Sequence, residues 1–370
     1  MKKFAITLML QLLVVSILFA QEMKHDASTS FFKQHLTMPV DGRIEYNYLD
    51  YEKNFANYGS THKFQFSDLL FRIEGMLTPN IGFNFRTVFN SNDINANNIL
   101  DNIQAANITY TTDNNKWFFS AGRFFMNVGT VEQYYNPADV YIYSVVGNNL
   151  GVYKTGVTAQ YTTTNLQSFG FQLMNADNAS EKQDMEYNLY WYGHIVKDKI
   201  ETYMSVTAKD KGGADDTPYA INLGIGWNFK DLHIDTDYAR VENMPNFYAN
   251  AVYTSVPIKI AYNWDYFKPY IKYMYNKVDF DGDGYDVPME DGSTETIDNT
   301  AIHTIELALQ YYPLKDKNLR LYVTGAYSSD GNISIVTPDA PASSTRQHYN
   351  AEFQIMAGVR IGFDLLRGWK

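Results

Sequence analysis

The chain has 370 residues, no cysteine, and 30 Lys and Arg against 41 Asp and Glu, a net charge of −11. The absence of cysteine excludes disulfides, thiolate metal sites and a cysteine nucleophile, and the acidic balance argues against a nucleic-acid partner. Hydrophobic residues make up 45% and aromatic residues 16%, yet no long apolar run follows the N-terminus, so a helical membrane protein is excluded.

Residues 1–20, MKKFAITLMLQLLVVSILFA, place Lys2 and Lys3 ahead of a short apolar stretch, the layout of a secretory signal peptide cleaved before Gln21. Residues 21–40 read as an N-terminal periplasmic segment, and residues 41–370 as one β-rich domain.

From Asp41 onward the chain keeps returning to period-2 alternation. In EFQIMAGVRIGFDL, Phe353, Ile355, Ala357, Val359, Ile361, Phe363 and Leu365 share one face, and Glu352, Gln354, Gly358, Arg360, Gly362 and Asp364 the other. YAINLGIGWNF and LHIDTDYARV alternate in the same way, with only Lys230 and Asp231 between them, which predicts a tight hairpin. Marking every such run gives about sixteen strands. Short turns fall at 78–80, 113–116, 163–165, 197–199, 230–231, 265–266 and 313–317, and longer polar loops lie between them. Short turns alternating with long loops on an even number of long strands predict an all-β fold, a transmembrane antiparallel β-barrel with periplasmic turns and external loops. Its apolar face meets lipid and its polar face a wet lumen. Phe83, Trp117, Phe229, Trp264, Tyr266, Tyr311 and Tyr312 stand beside short turns, where a periplasmic aromatic girdle is expected.

The run FSDLLFRIEGMLTPNIGFNFRTVF, the returning strand NIQAANITYTTDNNKWFFSAGRFF and the following VGTVEQ resemble the phosphate-selective porin O and P family of Gram-negative outer-membrane porins. Arg72, Gly122, Arg123, Phe124 and Gly129 are the positions that carry the resemblance. It implies a sixteen-stranded diffusion porin, a homotrimer, with the loop after the fifth strand turned into the lumen. That loop, 126–150, is long and aromatic and has no Lys or Arg, so Glu132 and Asp139 are expected at the constriction together with Arg72, Arg86 and Arg123. The acidic loop predicts a general or cation-tolerant pore in place of phosphate preference. The polar strand faces supply Asp68, Glu74, Lys154, Asp235, Asp237, Lys259, Lys268, Lys272, Arg320 and Arg360 as pore-lining charges.

The stretch DFDGDGYDVPME has the ligand spacing of a calcium loop, with Asp279, Asp281, Asp283, the Tyr285 carbonyl and Glu290 as oxygen donors. Strands on both sides exclude a helix-opening sensor, so calcium would clamp an external loop. The expected function is passive diffusion of small hydrophilic solutes or ions through the outer membrane, with lipid and solute as partners and no catalytic group. The alternatives are a barrel enzyme of the lipase or protease type and a surface ligand-binding or adhesive barrel. An enzyme would need a serine beside a histidine, and His194, His233 and His303 lie on strands with no nucleophile motif nearby.

Overall fold

In the computed structural model, the described residues are 34–51, 60–89, 102–176, 184–210, 217–247, 251–280, 285–288, 294–297, 299–314, 317–329 and 352–367. The signal-peptide expectation lies outside them.

The strands are β1 (Pro39–Tyr51), β2 (Thr61–Met76), β3 (Ile81–Val88), β4 (Ile103–Thr111), β5 (Trp117–Phe125), β6 (Tyr153–Thr162), β7 (Ser168–Asn175), β8 (Met185–Val196) and β9 (Ile200–Lys209). They continue with β10 (Tyr219–Phe229), β11 (Leu232–Glu242), β12 (Ala251–Tyr262), β13 (Phe267–Phe280), β14 (Tyr285–Pro288), β15 (Thr294–Ile297), β16 (Thr300–Tyr311), β17 (Asn318–Ser328) and β18 (Glu352–Asp364). All except β14 and β15 join one closed antiparallel barrel of sixteen strands, each beside its neighbour in sequence and β1 closing on β18. β14 and β15 pair with each other as a separate two-stranded ribbon. Closure gives every strand two partners, which a sheet needs to cross hydrocarbon.

The expected alternation holds on the outer wall, where Phe64, Ile108, Val157, Leu189, Leu307, Val359 and Phe353 are exposed. The short turns expected at 78–80, 113–116, 163–165, 197–199, 230–231 and 265–266 are present, and Asn115, Leu166, Asp198, Lys230 and Asp265 take positive φ there. Trp117, Phe229, Trp264, Tyr266 and Tyr311 are exposed beside those turns, as a girdle requires. Tyr312 is a correction: its hydroxyl donates to Gln310 Oε1 at 3.0 Å and lies 3.4 Å from Arg320, so it points inward.

The inner wall is not uniformly polar. Residues Ala220, Ala239, Val241, Met174, Tyr253, Val278 and Ile302 gather into an apolar core with Met126, Val128, Val145, Val146 and Leu150 of the segment between β5 and β6. This part of the inner surface is therefore a packing surface for that segment.

Candidate functional site: the constriction loop and the arginine wall

The 126–150 segment leaves the wall at Arg123. That residue is the last of β5 to pair with β4, opposite Ala106, whereas the ladder to β6 runs on through Phe125–Tyr153 and the Met126 N–H to Val152 carbonyl bond. Gly122, one residue earlier, sits at φ 122°, where a Cβ would collide with the Ala106 carbonyl, so only glycine permits the departure. The segment contains two 3₁₀ turns, Glu132–Tyr134 and Pro137–Asp139, and the short helix Val145–Asn149, which Ser144 caps by accepting from the Gly147 N–H.

Wall side chains satisfy its backbone one after another. Asn127 N–H donates to Gln172 Oε1 at 2.7 Å and Gly129 N–H to Ser205 Oγ at 2.9 Å. Val131 and Glu132 N–H both donate to the Asp237 carboxylate, at 2.6 and 3.0 Å. Val145 N–H donates to Asn276 Oδ1 at 3.0 Å and Val146 N–H to Ser255 Oγ at 3.1 Å. An irregular segment inside a barrel has no ladder of its own, and these polar side chains supply the missing partners. Gly129 lies so close to β9 that a Cβ would overlap the Met204–Ser205 peptide.

The loop acids are paired. Glu132 accepts from Lys272 Nζ at 2.6 Å and from Ser144, and Lys272 also donates to the Ile142 carbonyl at 2.6 Å. Asp139 pairs with Arg320 and, at 3.0 Å, with Arg360 Nε. Arg360 reaches on to Asp41 at 2.7 Å, and Arg43 donates to the Val140 carbonyl at 2.7 Å while facing Glu45 and Asp68. Tyr135 donates to Asp235, which also takes His233 Nε2 at 2.6 Å, and Lys259 Nζ stands 4.0 Å from the Tyr135 ring centre. Burial and the Asp235 charge push the Tyr135 phenol above its ordinary range, so it stays a donor.

Most charges expected to line the pore are therefore anchors. Asp68, Asp235, Asp237, Lys259, Lys272, Arg320 and Arg360 hold the loop or its neighbours, and Glu132 is buried. Lys154 makes a buried pair with Glu186 at 3.1 Å, away from open water. Lys268 is half-buried at the start of β13, and Glu74 pairs with Arg72 at 3.4 Å. Both loop carboxylates expected at the constriction are neutralised by cations from the opposite wall. The reason is desolvation, since a carboxylate pressed against a packed wall needs a partner.

The basic expectations fare differently. Arg72 pairs with Asp41 at 2.8 Å but remains half-buried. Arg86 has no ion pair among the described residues; its Nε and one Nη are buried without a hydrogen-bond partner, and its guanidinium lies 5.3 Å from the centre of the Tyr153 ring. Arg123, at the branch point, likewise has no ion pair among the described residues. Of the calcium-loop donors, Asp279 pairs with Lys277 at 2.6 Å and Tyr285 opens β14, while Asp281, Asp283 and Glu290 lie outside the described residues.

The comparisons with known proteins bear on the fold of this barrel. The family model for phosphate-selective porin O and P matches residues 38–197, from the start of β1 to the end of β8. No curated protein matches the chain by sequence. Among solved structures, the outer membrane channel DcaP of Acinetobacter baumannii aligns at TM-score 0.60 and 12% identity, covering 89% of this chain and 97% of that one. An anion-selective porin from Comamonas acidovorans aligns at 0.59 and 12% identity, over 89% and 99%. Salmonella typhi OmpF, in complex with daunomycin, aligns at 0.57 and 15% identity, over 90% and 98%. The chain folds as an outer-membrane porin barrel, and its first eight strands match the phosphate-selective porin O and P family.

Proposed function

We propose that this barrel is a passive diffusion channel for small hydrophilic solutes, narrowed by the 126–150 loop and preferring anions. The reading of the sequence, a general or cation-tolerant pore, rested on Glu132 and Asp139. Both carboxylates are paired to Lys272, Arg320 and Arg360, whereas Arg72 stays only half-buried and Arg86 and Arg123 have no ion pair among the described residues, and this balance carries the proposal. A guanidinium in a narrow, partly dehydrated passage attracts anions more strongly than it would in bulk water.

The resemblance to porins, one of whose solved relatives is described as a trimer form, supports a homotrimer in a Gram-negative outer membrane. The test is reversal potential in planar bilayers under a potassium chloride gradient. Ohmic steps with a potential on the chloride side support the proposal; a potential on the potassium side overturns the anion preference.

A further inference from the structure

Beside Arg86 a run of aromatic rings joins the loop to the wall, where the Tyr134 hydroxyl donates to Tyr192 and lies 3.4 Å from Asn127 Oδ1. Tyr153 meets Phe125 edge-on with centroids 5.7 Å apart, and Phe125 meets Tyr134 at 5.8 Å. Tyr134 stacks on Tyr203 at 4.9 Å and touches Tyr192 at 5.0 Å. Arg86 stands over Tyr153 at one end, toward the long-loop rim, and Tyr203 and Tyr192 lie toward the short-turn rim at the other. The rings come from β5, β6, β8, β9 and the loop, so the run passes from the wall over the loop and back to the wall.

Rings needed only for packing would be buried, as Tyr141 is between Tyr270 and Tyr322 on the anchored side of the loop. Tyr134 is instead 38% exposed to the lumen. Polar acceptors border the run: Glu201, which takes the Tyr203 hydroxyl at 3.0 Å, and Gln160, which takes the Tyr190 hydroxyl at 3.0 Å. A carboxylate has further acceptor sites beyond one hydroxyl, and Glu201 has no ion pair among the described residues.

We infer that the run Tyr153–Phe125–Tyr134–Tyr203 is a binding track for acidic saccharides. A pyranose ring presents slightly positive C–H groups on its face, which fit the negative face of an aromatic ring, and hydroxyls at its edge, which fit Glu201 and Gln160. Its carboxylate or phosphate is drawn toward Arg86, whose guanidinium stands over Tyr153 at the end of the run and has no ion pair among the described residues. A flat aromatic acid would fill the rings and the arginine but would leave the acceptors at the border without donors. The charged part of this inference rests on the anion preference proposed above, and the aromatic part does not.

The test is interruption of single-channel current by trigalacturonate, with maltotriose as the neutral saccharide and inorganic phosphate as the bare anion. Trigalacturonate is expected to block at a concentration about tenfold lower than either. Tyr134→Ala together with Tyr203→Ala should raise that concentration about tenfold. Arg86→Gln should weaken the block by trigalacturonate and leave that by maltotriose unaltered. Heat-modifiable gel mobility reports whether each variant still forms the barrel. Equal block by phosphate and trigalacturonate, or block unaffected by the tyrosine changes in a folded barrel, overturns the track. A potassium-side reversal potential, by contrast, overturns the anion preference and with it the acidic end of the track, and leaves the aromatic run to be judged by maltotriose block.

Discussion

Lys272 of β13 donates from Nζ both to the Glu132 carboxylate and to the Ile142 carbonyl, each at 2.6 Å, so one ammonium ties the first 3₁₀ turn of the loop to the stretch before its short helix. Both side chains are buried, at 7% and 6% exposure. Removing one partner strands the other charge in a packed interior. Lys272→Met and Glu132→Gln should each destabilise the barrel by about 3–5 kcal/mol, and the double variant by less than their sum. Thermal unfolding in detergent micelles measures this, and additive losses would refute the coupling.

Arg86→Glu replaces a guanidinium that has no ion pair among the described residues with a carboxylate beside the Tyr153 ring. Reversal potentials should shift from the chloride side toward the potassium side, most strongly in dilute salt, where screening is weakest. An unchanged potential would place the selectivity elsewhere.

Asp139→Asn works in the opposite direction. It leaves Arg320 and Arg360 without their loop carboxylate and should raise the chloride-to-potassium permeability ratio by about twofold. A fall in that ratio would mean that Asp139 is not the residue masking these arginines.

Gly129→Val places a branched side chain where the loop backbone rests on the Met204–Ser205 peptide. The loop has to lift from β9, so conductance should increase and its noise with it, while the barrel still migrates as a folded species. Wild-type conductance in this variant would show that the loop is not seated there.

Much of the barrel was legible in the sequence because its physics is local. A strand between lipid and water must alternate, and EFQIMAGVRIGFDL does so in the direction observed, with Phe353 and Val359 outside and Arg360 inside, broken only by Met356, which is buried on the inner face. Turn positions were legible for a similar reason, since Lys230 and Asp231 leave no room for anything but a hairpin. The charge state of the constriction was not legible. Glu132 and Asp139 are neutralised by residues more than a hundred positions away, and nothing in the loop's own sequence reports a partner on β13, β17 or β18. One signal was available and went unread. In β11 the inner row passes from Asp235 and Asp237 to Ala239 and Val241, a change from polar to apolar that marks where the loop packs. Tyr312 was assigned to the girdle from its place beside a turn, but its parity with Gln310 sets it on the inner face.

Leu189 offers a check on the outer wall. It is 62% exposed near the middle of β8, where the lipid should be thickest. Leu189→Arg should cost about 2–4 kcal/mol in folding into bilayers, and much less if that face were turned to water.

The strand that opens the ring and the strand that completes it both hold the tip of the inner segment: Arg43 of β1 grips the Val140 carbonyl, and Arg360 of β18 grips Asp139. Those two grips can form together only once the first and last strands have met. The segment thus acts as a clasp fastened over the final joint, so the passage should reach its working width last during assembly, and a cylinder whose joint is still open should leak more than the finished one.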